Sequence, residues 1–320
     1  MANIESVLIT GGAGNLGRVV AAELRERYQV TLFDRRAPSQ AVSPFDVPWE
    51  TDLPFVMGDL TSLEDCMRAI AFAKADAVIH LGALPYPTEL SRTRGRFGMQ
   101  QRLPEDETMR VNTMGTFYVA DAARRLGVKK LAMASTFFVL GCDFPVSDRP
   151  FKVYYLPIDE NHPLEPESTY GLSKICGEQI LAAFQRAYGI KTVAFRLLGV
   201  QYEHRPTHTF AERPEARPGY VGGPKLTTWQ YVDARDVAQA FRLFLEVDGF
   251  DQFEAFFLAT DTKLEEETAV VLKRCCPDLA EMADVLKGHE GIISIKKAQE
   301  MLGYQPKYSW RNTPAAEGSE

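Results

Sequence analysis

A chain of 320 residues, 45% hydrophobic and 25% charged, is long enough for one large or two intimate domains and has the composition of an ordinary globular protein. Its net charge of -7 and pI near 5.4 argue against a general nucleic-acid or membrane-surface role, and no apolar run approaches the length of a membrane span. The five cysteines (Cys66, Cys142, Cys176, Cys275 and Cys276) are scattered and lack Cys-x-x-Cys spacing, which points to neither a disulfide framework nor a metal site and makes the cytoplasm the expected compartment.

In chain order, Val7-Leu8-Ile9-Thr10 has strand character and enters the turn Gly11-Gly12-Ala13-Gly14-Asn15-Leu16-Gly17. Arg18 to Arg27 then reads as a helix with Val19, Val20, Ala22 and Leu24 available for burial. Strand, tight glycine turn and helix suit a dinucleotide, because glycines let the backbone approach a pyrophosphate resting on the positive end of the helix. The run Val30 to Phe33 predicts the next strand and ends in Asp34, where a carboxylate accepts from both ribose hydroxyls and repels a 2′-phosphate. NAD is therefore expected over NADP, with Arg35 and Arg36 adjacent. The connector with Pro38, Pro44, Pro48 and Pro54 reads as loop. Phe55 to Leu60 predicts a short strand carrying Asp59 near its end, and Thr61 to Asp65 opens a helix. Ala77 to Ala83 predicts a strand whose small residues after His80 permit close approach of a ligand.

Thr108 to Leu126 reads as helix, Lys130 to Ala134 as strand, Tyr170 to Tyr188 as helix and Thr192 to Arg196 as strand. This alternation predicts an α/β fold, a Rossmann-type doubly wound parallel sheet with ligands at the carboxyl ends of its strands. Beyond Arg196 a long loop, Glu203 to Lys225, holds several prolines and basic residues. Asp233 to Glu246 is an expected amphipathic helix and Glu254 to Leu258 a strand; Leu264 to Leu272 and Ser294 to Leu302 are expected helices. Thr313 to Glu320 reads as a tail. The organisation expected is a dinucleotide-binding domain over residues 1–198, rejoined by about 229–260, with 199–228 and 261–320 forming a smaller C-terminal substrate-binding lobe.

Tyr170-Gly171-Leu172-Ser173-Lys174 carries the chemistry. Tyrosine and lysine four apart lie one above the other on a helix, so the ammonium favours the phenolate. Such a phenol takes a proton from a substrate alcohol, as hydride transfer to a nicotinamide requires. The spacing occurs once among twelve tyrosines. Ser135-Thr136 closes the strand before it, where a hydroxyl can hold the reacting oxygen. A surface ion pair and a backbone-satisfying hydroxyl are the plainer alternatives.

Thr10-Gly-Gly-Ala-Gly-Asn-Leu-Gly17, Asp34, Asp59-Leu60, His80-Leu-Gly-Ala83, Asn112-Thr-Met-Gly-Thr116, Ser135-Thr136 and Tyr170-x-x-x-Lys174 together resemble the ordered motifs of the extended short-chain dehydrogenase/reductases, the NAD-dependent epimerase/dehydratase group. The resemblance runs from Ile4 to about Trp310 and includes a closing segment, Ile293 to Pro306, similar to the family's. It implies Tyr170 as acid/base, Lys174 at the nicotinamide ribose and Thr136 at the substrate oxygen. It also implies Asp34 with Arg35 and Asp59-Leu60 at the adenosine, Gly11, Gly14, Asn15, Leu16 and Gly17 at the pyrophosphate, and Leu81, Gly82, Ala83, Asn112 and Ser135 on the cofactor side.

Departures narrow the reaction. Sugar dehydratases of the group place an acid after the threonine, whereas Phe137 and Phe138 follow here, so dehydration is not expected. Nucleotide-sugar epimerases carry an asparagine shortly after the arginine corresponding to Arg196; this chain has Leu197-Leu198-Gly199. Arg196 to Gly199 and Leu226-Thr227-Thr228-Trp229 are similar to the uronate dehydrogenase branch, with Pro224 where that branch has a carboxylate-binding arginine and Lys225 beside it. Pro85, Phe137, Phe138, Arg196, Gly199, Lys225 and Trp229 are the expected substrate contacts, with Trp229 either a pocket or a core residue. Basic loops at Arg92, Arg94, Arg96 and Arg102, and at His204, Arg205, His208, Arg213 and Arg217, are either anion clamps or solvated loops. The expectation is an NAD-dependent sugar epimerase or oxidoreductase. The alternatives are a free-sugar or sugar-acid dehydrogenase and a non-enzymatic dinucleotide sensor. The family commonly dimerises through two helices per subunit, which here correspond to Thr108 to Leu126 and Tyr170 to Tyr188, with Phe117, Tyr118, Ala122, Ala183 and Phe184 as candidates for a four-helix contact.

Overall fold

The structure is a computed structural model in which residues 3–40, 47–89, 103–142, 146–147, 151–204 and 229–312 are described. Five strands alternate with helices through the first half: β1 (Ser6–Thr10), α1 (Asn15–Leu24), β2 (Gln29–Asp34), β3 (Phe55–Met57), α2 (Leu63–Ala73), β4 (Ala77–His80), α3 and β5 (Lys130–Thr136). The helix α3 runs through Glu107–Met109, a π-helical turn at Arg110–Met114, and Gly115–Arg125. Then come α4 (Thr169–Tyr188), β6 (Lys191–Leu197), β7 (Gly199–Gln201), β8 (Gln230–Asp233), α5 (Ala234–Glu246), β9 (Glu254–Leu258), β10 (Asp261–Thr262), α6 (Thr268–Cys275) and α7 (Lys296–Leu302).

The main sheet has seven strands in the order β3-β2-β1-β4-β5-β6-β9, every pairing parallel. Parallel strands must be covered on both faces, and β1 is buried along its whole length for that reason. Alternate side chains feed two cores. Val7, Ile9, Val30, Leu32, Ala132 and Phe195 pack with α1, α5 and α7. Leu8, Phe33, Val78, Leu131 and Met133 pack with α2, α3 and α4. The strand order reverses at β1, so the crevice where a ligand binds lies at the carboxyl ends of β1 and β4.

Lys130 is buried at the start of β5, and its ammonium donates to the carbonyls of Phe244, Leu245 and Val247. Those carbonyls are left over at the end of α5, where a cation is favourable. A side chain that reads in sequence only as a strand's first residue thus ties the sheet to α5.

A third core joins Leu140 and Ile158 to Trp229, Leu264, Val271, Leu272 and Ile293. A second sheet, β10-β8-β7, is not among the elements expected from sequence. The expected helix from Leu264 to Leu272 also differs, since α6 begins only at Thr268. Leu264 is drawn fully into the core and its carbonyl accepts from the Arg311 guanidinium, which keeps that residue out of a helical ladder. Two strand ends are shorter than expected: β3 stops at Met57 and β4 at His80, leaving Asp59-Leu60 and Leu81-Gly82-Ala83 as turns.

Candidate active site

The turn after β1 is closed by contacts that only glycine permits. Gly11 adopts φ +68°, and a Cβ there would lie 2.6 Å from the Gly82 nitrogen; one on Gly17 would meet the Gly11 and Gly12 carbonyl oxygens at 2.6 Å. Gly82 faces Leu60, whose Cδ1 would lie 2.5 Å from an added Cβ. Gly14 caps α1 without a side-chain hydrogen bond, so Asn15, Leu16 and Gly17 open the helix without a side-chain oxygen on their amides. By contrast, Ser62 and Ser168 cap α2 and α4 with their hydroxyls. A helix start built this way offers its amides to a phosphate.

Asp34, at the end of β2, accepts from the backbone N–H of Ala13 (3.1 Å) and of Arg35 (2.8 Å). Burial raises its pKa above the ordinary carboxylate value, with Arg36 and these amides opposing. Arg36 is buried and donates to the Gln40 carbonyl, while Arg35 stays exposed. The Gly58 amide donates to the Asp34 carbonyl, which brings Asp59-Leu60 alongside. The Asp59 carboxylate accepts from the Thr61 amide and hydroxyl, both at 2.8 Å. These residues fit NAD: a glycine cradle, an uncapped helix start and a carboxylate at the ribose end.

His80 links three elements behind the cradle. Its Nδ1 lies 2.7 Å from the Thr10 hydroxyl and its Nε2 3.1 Å from the Thr116 hydroxyl. Thr116 donates to the Asn112 carbonyl, so its oxygen accepts from Nε2–H and the Thr10 hydroxyl donates to Nδ1. The ring is fully buried, and that burial, with the Lys174 charge second, pushes its pKa down to about 3. The unfolded chain binds a proton below the ordinary value of 6.5 and the native state does not until about 3, so this contribution to stability is complete above 6.5 and is lost as pH falls through that window. Melting curves between pH 7.5 and 5 are expected to show His80→Gln losing less stability on acidification than the parent, by about 1 kcal/mol per pH unit. Parallel pH dependences would overturn this.

The Asn112 amide sits in the π-helical turn. It accepts from the Leu84 N–H (2.8 Å) and donates to the Leu84 carbonyl and the Ser173 hydroxyl, both at 3.0 Å. Asn112, expected on the cofactor side, acts as a brace: it holds the loop after β4, including exposed Pro85, against the first turns of α4.

Tyr170 and Lys174 both lie on the buried face of α4. The Phe138 ring stands edge-on to Tyr170 at 6.2 Å and lies 4.3 Å from Phe137. The Lys174 ammonium donates to the Ala134 carbonyl on β5 at 2.8 Å, and burial lowers its pKa to about 8 against the opposing charge of Glu178. Two residues on, Thr136 accepts from the Phe138 amide (3.3 Å), capping the turn Phe137–Leu140 and keeping its own hydrogen to donate.

Three further expected site residues turn to the protein. The Ser135 hydroxyl donates to Glu178 at 2.7 Å. Arg196 is a buried partner of Glu178, bonded through Nε (3.1 Å) and Nη2 (2.8 Å). Trp229 is buried in the third core. Gly199 opens β7 and is half-buried. Lys225, Arg92, Arg94, Arg96, Arg102, Arg205, His208, Arg213 and Arg217 lie outside the described residues. Among the described residues no His, Cys, Asp or Glu cluster could hold a metal. Glu178 is missing from the sequence reading, although its spacing of four from Lys174 puts it on the stripe that already held Tyr170.

The fold and cradle define a Rossmann-type dinucleotide-binding protein. More particularly, the profile of the NAD dependent epimerase/dehydratase family matches residues 7–258, and the chain belongs to that family, whose cofactor is NAD. It is 30% identical over 192 residues to a uronate dehydrogenase of Pseudomonas syringae pv. tomato, a match covering 60% of this chain and 58% of the relative. It is 28% identical over 202 residues to a putative UDP-glucose 4-epimerase of Methanocaldococcus jannaschii, covering 62% and 57%. The matches thus span less than two thirds of these relatives' lengths. A short-chain dehydrogenase/reductase superfamily protein from Agrobacterium tumefaciens, solved with bound NAD, superposes with a TM-score of 0.64 over 95% of this chain and 93% of that one at 23% identity, which shows a shared fold.

Proposed function

We propose that the protein oxidises a secondary hydroxyl of a sugar or sugar derivative, as an NAD-dependent epimerase or dehydrogenase of the extended short-chain type. One observation carries the reading: Tyr170 and Lys174 share the buried face of α4, and the Lys174 ammonium is bonded to Ala134, two residues before Thr136. Gly11, Gly14, Asn15, Leu16 and Gly17 would hold the pyrophosphate, Asp34, Arg35, Asp59 and Leu60 the adenosine, and Leu81 to Ala83 the middle of the cofactor. When bound, NAD supplies a hydride acceptor. Tyr170 takes the hydroxyl proton, Thr136 donates to the substrate oxygen, and Lys174 keeps the phenol acidic. Pro85, Phe137 and Phe138 give the substrate side an apolar wall.

If the ketone is reduced again on its opposite face, the net reaction is epimerisation; if it leaves, the protein is a dehydrogenase. The likeness to a uronate dehydrogenase supports the second course, with a free sugar or sugar acid as substrate. The test supplies NAD and offers sugars, sugar acids, sugar phosphates and nucleotide sugars in turn, following absorbance at 340 nm and isomers by chromatography. NADH accumulation with one class identifies a dehydrogenase, and isomer exchange without it an epimerase. Inertness toward all classes would favour a dinucleotide sensor.

A homodimer is part of the proposal. Met114, Phe117, Leu126, Leu172 and Tyr188 expose apolar surface on α3 and α4, and Phe117 and Tyr188 each pack on Phe184. Ala122 is fully buried and belongs to the core instead. Sedimentation at micromolar concentration is expected to give a dimer, and a monomer alone would remove the contact. None of the five cysteines forms a disulfide and no helix among the described residues is long and apolar enough to cross a membrane, which supports a cytoplasmic assignment. Fractionation with exported proteins would exclude it.

A further inference from the structure

Glu178 is 2% exposed and lies one helical turn beyond Lys174. Its carboxylate bridges two adjacent strands at residues directly opposite each other, since Ser135 of β5 is paired in register with Arg196 of β6. One oxygen accepts from both the Ser135 hydroxyl and Arg196 Nε, and the other from Arg196 Nη2. The neighbouring residue of β5, Ala134, receives the Lys174 ammonium, and the next, Thr136, is the proposed donor to substrate. Helix α4 is therefore pinned to the strand end at two successive residues by side chains one turn apart.

We propose that Glu178 is a positioning residue of the proton-transfer site: it locks α4 onto β5 and β6 so that Tyr170, Lys174 and Thr136 keep their relative places, and it supplies the negative charge that balances a buried Lys174. The proposal rests on the reading of Tyr170 and Lys174 as the proton-transfer pair. The groups around Lys174 and Glu178 support this assignment. Neutral His80 approaches from β4, and Arg196 from β6 is already held in a bidentate pair. Glu160, from the segment before α4, takes the Phe257 amide on its carboxylate and the Arg196 guanidinium on its carbonyl. The charge acting on Lys174 is that of Glu178, which opposes the effect of burial.

The titration that tests the proposal needs no substrate. The full-length protein is labelled with lysine carrying 13C at Cε, the Lys174 resonance is assigned from Lys174→Arg, and its titration midpoint is read by NMR. Glu178→Gln keeps the shape and removes the charge, so the midpoint is expected to fall from about 8 by about one pH unit or more. Glu178→Asp keeps the charge and shortens the reach, and its midpoint is expected to lie closer to the parent's. Because Glu178→Gln leaves Arg196 without its counter-charge, the double variant Glu178→Gln/Arg196→Gln provides a neutral interior and is expected to show the same fall. An unchanged Lys174 midpoint in both the single and double Gln variants would overturn the proposal. A shifted midpoint together with full turnover in Tyr170→Phe would leave Glu178 in place while removing the catalytic reading, so the two failures are distinguishable.

Discussion

Tyr170→Phe is expected to lower turnover by about 10²–10⁴-fold, the usual contribution of a positioned general base, while NAD binding and melting temperature stay close to the parent's. The substitution removes one oxygen and nothing else. The ring keeps its edge-on contact with Phe138, and the hydrogen bond from the Ser173 hydroxyl to the residue 170 carbonyl is a backbone contact that does not depend on the phenol. A loss confined to the chemical step would therefore report on the phenolic hydroxyl alone. The assay uses the substrate class identified by the NADH and isomer screen, with NAD affinity measured separately by titration. A variant that retained full turnover would remove Tyr170 as the base, and with it the role given to Lys174.

Arg196→Met is expected to destabilise the fold by about 3–5 kcal/mol, because removing one partner of a buried ion pair strands the other charge in a medium that solvates it poorly. Both side chains are nearly inaccessible, at 5% and 3% exposed, so solvent screening offers little relief. Lys174 remains as a neighbouring cation whose charge still acts on Glu178, but its ammonium is bonded to the Ala134 carbonyl and supplies none of the hydrogen bonds that Arg196 gives the carboxylate. Urea unfolding followed by fluorescence provides the measurement, with a lower midpoint at unchanged slope as the signature of lost native stability. Pairing the substitution with Glu178→Leu removes the stranded carboxylate and is expected to restore much of the loss, since an apolar pair of similar volume packs without desolvating a charge. A single-variant loss below about 1 kcal/mol would mean that Glu178 protonates or finds water, and the pair would then not be a fixed brace.

Much of the site was legible because its signals are local. The glycines of the first turn, the acid closing β2 and the Tyr170–Lys174 spacing each bring their partners together within one turn or one strand–helix junction. The alternation of apolar runs likewise predicts the parallel sheet, because each strand and the helix after it must bury complementary faces. Asn112, Ser135 and Arg196 stand at ligand-facing positions in the sequence pattern, and their protein partners lie in other elements. Asn112 meets Leu84 and Ser173, while Ser135 and Arg196 meet on Glu178. Which way a polar side chain turns at a strand end depends on what faces it across the layer, and that information is not in its neighbours along the chain.

The sequence by itself pointed to the parallel doubly wound sheet, the dinucleotide cradle and the position of the Tyr/Lys helix through short-range periodicity and spacing, and to the family and NAD through the resemblance that its ordered motifs carry. Tertiary structure decided the rest. It pairs the small sheet of β7, β8 and β10, delays α6 until Thr268 because Leu264 is pulled into the lobe's core, and buries His80 between two hydroxyls so that it stays neutral. It also makes Arg196 the counter-charge of Glu178. For His80 and Arg196 the reason is the same: burying a polar or charged group is tolerable only where a partner is already in place, and the partner's position, like the core that takes Leu264 and the pairing of the small sheet, is fixed by packing between elements distant in sequence.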